Sequence, residues 1–292
     1  MSALDATETF RRHRSLLFTV AYEMLGSAAD AEDVVQETWL RWDAVEHAPV
    51  RDARAYLVRI VTRQALNRLR TLKRQRETYV GPWLPEPLVT SPDVAEDVEL
   101  SDSVSFAMLV VLETLTPLER AVFVLREVFG FEYDEIAAAT DRTNTAVRQV
   151  AHRARQHVQA RRPRTVDAAA THRKVAEQFF VAAATGDVQR LMDLLAPDVV
   201  MLSDGGGKVK AALRPIEGAD KVVRWLMAVR PEGAVVGTKE VDVNGAPAAL
   251  LYIDGVLDVL ATIRVEDGLV RELYLVRNPD KLADLAARQV TR

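Results

Sequence analysis

Apolar positions recur at helical spacing in two consecutive stretches. Residues 8–25 place Phe10, Leu17, Val20, Ala21 and Met24 on one face, and residues 28–45 do the same with Val34, Val35, Thr38 and Leu40. Gly26 and Ser27 separate the two, and Pro49 ends the second. A third helix is predicted over residues 53–76, with Tyr56, Leu57, Ile60, Val61, Ala65 and Leu69 inward. The stretch GPWLPEPLVTSPD, residues 81–93, holds four prolines and a glycine. Proline removes a backbone donor and fixes φ, so this stretch is a linker or an ordered extended peptide. Residues 104–162 return to helical periodicity. From residue 172 helices give way to alternating segments such as ALLYIDGVLDVLATIRVEDGLVRELYLV. The pattern predicts a multidomain chain: helical domains over 1–78 and 104–164, a linker over 79–103, and an α+β domain over 168–292.

The second helical block carries a sharper pattern. A short helix, DEIAAAT, is followed by a polar break at Asp141 and Arg142 and by a helix beginning near Asn144 with Val147, Val150, Ala151 and Ala154 inward. This is helix-turn-helix spacing, with small Ala137 and Ala138 expected at the helix crossing. Arg148, Gln149, His152 and Arg153 point away from that core, and Arg and Gln suit the major-groove edges of G and A.

Composition adds bounds. The 292 residues are 49% hydrophobic and 27% charged with a net charge of −4, so bulk charge names no partner. The absence of cysteine excludes disulfides and thiolate metal sites. No run of about 18 apolar residues predicts a membrane span, and a cytoplasmic location is expected. Local charge is more informative. Arg51 to Arg76 is basic, opposed only by Asp52; Glu86 to Asp102 is purely acidic; Arg142 to Arg164 is basic again without an acid. Two segregated basic runs favour nucleic-acid binding.

The segments DAEDVVQETWLRW, DARAYLVRIVTRQALNRLR and LTPLERAVFVLREVFGFEYDEIAAAT…TAVRQVAHRARQ, in this order over residues 8–162, resemble regions two and four of the extracytoplasmic-function sigma factors. These are promoter-specificity subunits of bacterial RNA polymerase. WLPEPL at residues 83–88, DGGGK at 204–208 and NPDKL at 278–282 resemble the subgroup with a fused SnoaL-like, cone-shaped α+β domain.

That resemblance implies roles. Asp30, Glu32, Asp33, Gln36, Glu37 and Trp39 would meet the clamp of the largest polymerase subunit, and the helix-turn-helix domain the flap of the second largest. Arg54, Tyr56, Arg59, Arg63, Asn67 and Arg70 would handle the minus-ten element, where a base must leave the stack; Arg68 would join them on phosphates. Arg148, Gln149, His152 and Arg153 would read the minus-thirty-five element, with Arg142 and Arg155 on phosphates. Trp83, Leu84, Pro85, Glu86 and Pro87 would contact the loop Asp204, Gly205, Gly206, Gly207 and Lys208 and the segment Asn278, Pro279, Asp280, Lys281 and Leu282, with Trp83 as the buried anchor. The resemblance further implies no cofactor, no metal, no catalysis, no membrane partner, no separate anti-sigma factor, and a monomer when free.

Two other readings stay open from the residues alone. One is a helix-turn-helix regulator that never meets polymerase. The other is a sensor whose C-terminal domain binds or converts a small molecule, for which Asp204, Asp254 and Asp258 are the carboxylates near strands.

Overall fold

The computed structural model describes residues 3–46, 50–90, 104–161, 168–229, 233 and 235–290. The chain forms two compact units, one from Met1–Glu77 with Pro92–Arg162, the other from Thr78–Ser91 with Pro163–Arg292. The acidic residues from Asp93 to Asp102, and Arg162 and Arg164 of the second basic run, lie outside the described residues.

The first unit is helical. Helices α1 (Ala3–Leu25), α2 (Ala28–Asp43) and α3 (Ala53–Arg76) pack together. Ser27 caps α2 by accepting from Asp30 N, and Asp52 caps α3 by accepting from Ala55 N, satisfying donors that a helix start leaves unpaired. Leu17, Val20, Ala21 and Met24 are fully buried, as their spacing predicts. In α2 the inward stripe is Val34, Val35, Thr38 and Trp42, whereas Leu40 is 62% exposed. Trp42 takes the inward place because its Nε1 donates to Ala6 O at 3.0 Å, which satisfies the indole in the core.

The second half of this unit holds α4 (Phe106–Leu112), α5 (Pro117–Phe123), a π-helical turn at Val124–Val128, α6 (Tyr133–Thr140) and α7 (Asn144–Gln159). Thr116 and Glu119 form a reciprocal capping box that starts α5. Asp141, at φ +57°, stops α6 in the left-handed region, and Thr143 caps α7. On α6 the buried residues are Ile136, Ala139 and Thr140, whereas Ala138 faces solvent and Ala137 is half-buried, so the expected small pair is not the buried side of this helix.

The second unit contains α8 (Ala169–Thr185), α9 (Val188–Leu194), β2 (Leu195–Asp204), β3 (Ile216–Glu217), α10 (Ala219–Ala228), β4 (Val236–Val243), β5 (Ala246–Ile253), β6 (Val256–Glu266), β7 (Leu269–Val276) and α11 (Pro279–Val290). The stretch HRKVAEQFFVAAATGDVQRLMDLLA, which reads as one helix, is split into α8 and α9 by Gly186 at φ +77°. With β1 (Val89–Thr90) at one edge, the sheet runs β1-β4-β5-β6-β7-β2-β3, and among the described residues the β2–β7 pair is parallel and the others antiparallel. Helices α8 to α10 cover one face around Phe179, Leu191, Met201, Val222, Ile263 and Leu273.

Strand β1 is Val89–Thr90, at the end of the proline-rich stretch. It pairs antiparallel with β4, Val89 opposite Val243, and Leu88 O accepts from Asn244 N at 2.9 Å. The described part of the expected linker, up to Thr90, is thus an ordered peptide that adds a strand to an exposed sheet edge.

Candidate functional site

Within the helical unit, the acidic helix keeps part of its charge at home. Glu32 pairs with Arg14 at 2.7 Å, Glu37 accepts from Gln64 at 2.8 Å, and Arg68 reaches Asp30 at 2.6 Å and Asp33 at 3.8 Å. Arg68, to which the resemblance gives a phosphate role, is in this structure a strut between α2 and α3. Glu32, Asp33, Gln36 and Glu37 remain exposed beside Leu40, while Trp39 packs edge-on against Phe10 at 5.0 Å. The outward apolar residue on this acidic face is Leu40, not Trp39.

The basic face of α3 is also partly engaged. Arg54 stacks over the Phe131 ring at 4.6 Å, and Arg63 donates to Ala138 O at 3.2 Å and lies 3.9 Å from Asp141. All three partners belong to the helix-turn-helix half. Val58 and Arg59 share a small crevice with Phe131, Ile136 and Ala139. Burial of Val58 and Leu66 on α3, which helical spacing from the first half alone misses, fits this packing. Tyr56 is half-buried, with Trp42 at 5.8 Å and Arg59 above its ring at 4.8 Å, so it is packed rather than presented. Asn67 and Arg70 are exposed and bonded to each other at 3.1 Å.

On α7, Arg148, Gln149, His152 and Arg153 are all exposed on one side, opposite buried Val147, Val150, Ala151 and Ala154. Arg148 is oriented by Asn144 Oδ1 at 2.7 Å and by the Tyr133 ring at 4.5 Å. Arg155 pairs with Glu127 at 3.2 Å, Arg153 lies 3.6 Å from Glu119, and Arg142 is exposed.

A charged cluster without any sequence signature joins the two halves of this unit. Arg120, 1% exposed, donates to Glu23 O at 2.9 Å and to Glu113 at 2.6 Å, and Glu113 also pairs with Arg76. Arg76 in turn donates to Leu25 O at 3.0 Å. Burial pulls Arg76 below its ordinary value, and Glu113 opposes that shift. Glu23, fully buried, accepts from Val104 N at 3.0 Å. Burial pushes its carboxyl up to about 7, against the opposing Val104 bond and Arg120 charge. A carboxyl raised on folding gives stability that is complete below the ordinary carboxylate range and is lost as pH rises to about 7. Each tenfold weakening of acidity is worth roughly 1.4 kcal/mol, so the helical unit is expected to lose up to about 3 kcal/mol from this group between about pH 4.5 and about pH 8. Glu23→Gln should flatten that slope in urea titrations followed by hydrogen exchange of α1; an unchanged slope rejects the assignment.

The second unit brings WLPEPL, DGGGK and NPDKL together at one place. Asp204, at the end of β2, is fully buried and its carboxylate accepts from Tyr79 OH at 2.5 Å, Leu84 N at 2.9 Å, Gly206 N at 3.0 Å and Lys281 Nζ at 2.6 Å. Lys281, 6% exposed, also donates to Leu84 O and sits 3.2 Å from the centre of the Trp83 ring. Such a buried pair persists only because every oxygen and proton is used. Asn278 Nδ2 donates to Tyr79 OH at 2.9 Å, and Lys208 pairs with Asp280 at 2.6 Å. Tyr79 is raised above its ordinary value by burial and by Asp204, which keeps its hydroxyl proton on the donor side of that bond.

The three glycines have separate reasons. A Cβ on Gly205 would lie 2.6 Å from Val209 O, one on Gly206 would lie 2.5 Å from Asn278, and one on Gly207 would lie 3.1 Å from Val80. Gly206 and Gly207 also have positive φ. The buried anchor of the peptide is Leu84, with no exposure, flanked by buried Pro85, Glu86 and Pro87; Trp83 is only half-buried and serves as a face for the Lys281 ammonium. Leu282 is buried and Pro279 opens α11. Sequence reasoning missed Tyr79, whose only signal is an aromatic residue just ahead of the proline-rich stretch. Of the other strand carboxylates, Asp254 sits in a turn at φ +50° and accepts from Val235 N, and Asp258 pairs with Arg277 at 2.7 Å. Among the described residues no group of carboxylates and histidines could hold a metal, and no helix is long and apolar enough to cross a membrane.

Residues 9–75 match Sigma-70 region 2, and residues 105–158 match Sigma-70 region 4. The ECF RNA polymerase sigma factor SigJ of Mycobacterium tuberculosis is 38% identical over 289 residues, covering 94% of this chain and 91% of that protein. The probable ECF RNA polymerase sigma factor SigI of the same species is 31% identical, covering 95% of each chain. The crystal structure of M. tuberculosis SigJ superposes with a TM-score of 0.77 at 35% identity, over 95% of this chain and 98% of that one.

Proposed function

Because the chain belongs to the extracytoplasmic-function sigma factors, which direct RNA polymerase to promoters, we propose that its C-terminal unit controls that activity in cis by holding the segment between regions 2 and 4. The observation that carries the reading is the convergence of Asp204 and Lys281 on the backbone of Leu84. Two DNA-reading modules joined by a tether bind tightly only when the tether lets both engage, so seizing residues 79–90 changes their effective concentration.

The exposed Glu32, Asp33, Gln36, Glu37 and Leu40 form the polymerase-facing surface in this reading, with charge guiding encounter and the apolar side chain adding affinity. Asp30 and Trp39 support it from within the domain. Arg148, Gln149, His152 and Arg153 reach base edges of the minus-thirty-five element, and Arg142 and Arg155 reach phosphates. Arg54, Arg59, Arg63, Asn67 and Arg70 serve the minus-ten element. Since Arg54 and Arg63 now hold Phe131 and Ala138, regions 2 and 4 must part before those two arginines meet DNA.

Transcription in vitro with core polymerase and a candidate promoter tests this. The full chain and a form ending at residue 277, which lacks Asn278 and Lys281, are expected to differ in promoter-dependent RNA by several-fold. Equal levels overturn control in cis, and absence of RNA from both forms overturns the promoter assignment.

A further inference from the structure

The second unit holds an apolar pocket of about 110 Å³, partly open to solvent, between α8, α10 and strands β4 to β7. Its walls are Phe179, Phe180, Trp225, Leu251 and Leu275, and its polar end is the ion pair of Asp258 with Arg277. A concave apolar pocket with aromatic walls and one polar end has the make-up of a ligand site. The Asp258 side chain is 25% exposed and that of Arg277 14%. Arg277 Nη2 donates to both Asp258 oxygens, at 3.0 and 2.7 Å. The carboxylate therefore keeps lone pairs for another donor, while its charge is already balanced.

We propose that this cavity binds a small, neutral, largely hydrocarbon molecule, about one fused ring pair in size, whose single N–H or O–H donates to Asp258. Charged ligands are disfavoured: an anion would meet a neutralised pair and a cation would compete with Arg277, each losing its hydration in an apolar pocket. The site also reaches the clamp on the peptide. Arg277 Nη1 donates to Lys210 O at 2.5 Å, and Arg277 N donates to Asp204 O at 2.7 Å. A ligand that fixes Asp258 thereby fixes Arg277 and the loop from Asp204 to Lys210.

Calorimetric titration of the full-length protein with indole, 1-methylindole and indole-5-carboxylate tests this, with no polymerase or DNA present. The outcome is thus separable from the transcription result. Indole is expected to bind and raise Tm. 1-Methylindole, which carries a methyl group in place of the N–H donor, is expected to bind at least about tenfold more weakly, as is typical for a lost bond to a charged acceptor, and the carboxylate weakest of the three. Ala183→Phe, which fills the cavity, should abolish binding; if that variant fails to fold, Ala183→Leu should weaken it. Hydrogen exchange at residues 204–211 should slow when indole is bound. No heat with any probe at millimolar concentration, equal binding of indole and 1-methylindole, binding undiminished in the filled variant, or unchanged exchange at 204–211 overturns the proposal.

Discussion

Replacing Lys281 by methionine is expected to destabilise the C-terminal unit by about 3–5 kcal/mol, the usual cost of leaving one buried charge without its partner. The stem of lysine and the methionine side chain have similar volume, so packing against Trp83 changes little. What is lost is the ammonium shared by Asp204 and the Leu84 carbonyl. Asp204 keeps Tyr79, Leu84 N and Gly206 as donors, but none is a cation, and the carboxylate has no exposure to water. Denaturation followed by hydrogen exchange should show amides of residues 79–90 opening first. Asp204→Asn is expected to cost a similar amount, and the double variant less than the sum, because neither charge is then stranded. A single-variant loss below about 1 kcal/mol would mean the pair is not desolvated. On the cis-control reading, Lys281→Met should move transcription in the same direction as the truncation at residue 277.

Glu113→Gln should have an effect of the same size, about 3–5 kcal/mol, in the helical unit. Glu113 is the anion that two guanidiniums share: half-buried Arg76 from α3 and buried Arg120 from α5. The amide keeps the shape but not the charge, so Arg76 and Arg120 face each other with their repulsion unscreened. Both also donate to carbonyls at the end of α1, Arg76 to Leu25 and Arg120 to Glu23. Weakening the cluster therefore weakens the junction between the first three helices and the rest of the unit. Hydrogen exchange in α4 and α5 should accelerate relative to α2. If regions 2 and 4 must separate to bind promoter DNA, the variant should also bind a minus-ten single strand more tightly than the parent, because Arg54 and Arg63 are released. Unchanged exchange in α4 and α5 would place the junction elsewhere.

Both experiments turn on charges buried by long-range contacts, and there the sequence was least legible. Arg76 and Arg120 look like members of solvated basic and mixed runs, and Glu113 like a helix-end carboxylate. Only the packing of α3 against α5 buries them. The same holds for Leu40 and Trp42. Both lie near the apolar stripe of α2, and a three-residue neighbourhood cannot say which is inward. The Ala6 carbonyl decides it by accepting the Trp42 indole.

Local physics determined a great deal. Periodicity at 3.6 and 2 residues, the Gly26–Ser27 break, the Asp141 turn and the prolines of residues 82–92 place the helical domains and the α+β module, because each is a property of a few adjacent residues. The helix-turn-helix with its outward Arg148, Gln149, His152 and Arg153 follows from that spacing alone. Tertiary structure alone decided what the proline-rich stretch does up to Thr90: it became the edge strand of a sheet whose other strands lie more than a hundred residues later. It also decided that Leu84 and not Trp83 is the buried anchor, that Tyr79 completes the site, and that Gly205, Gly206 and Gly207 each yield to a different neighbour. Those outcomes depend on which distant backbone arrives within about 3 Å, and no pattern of neighbours along the chain carries that distance.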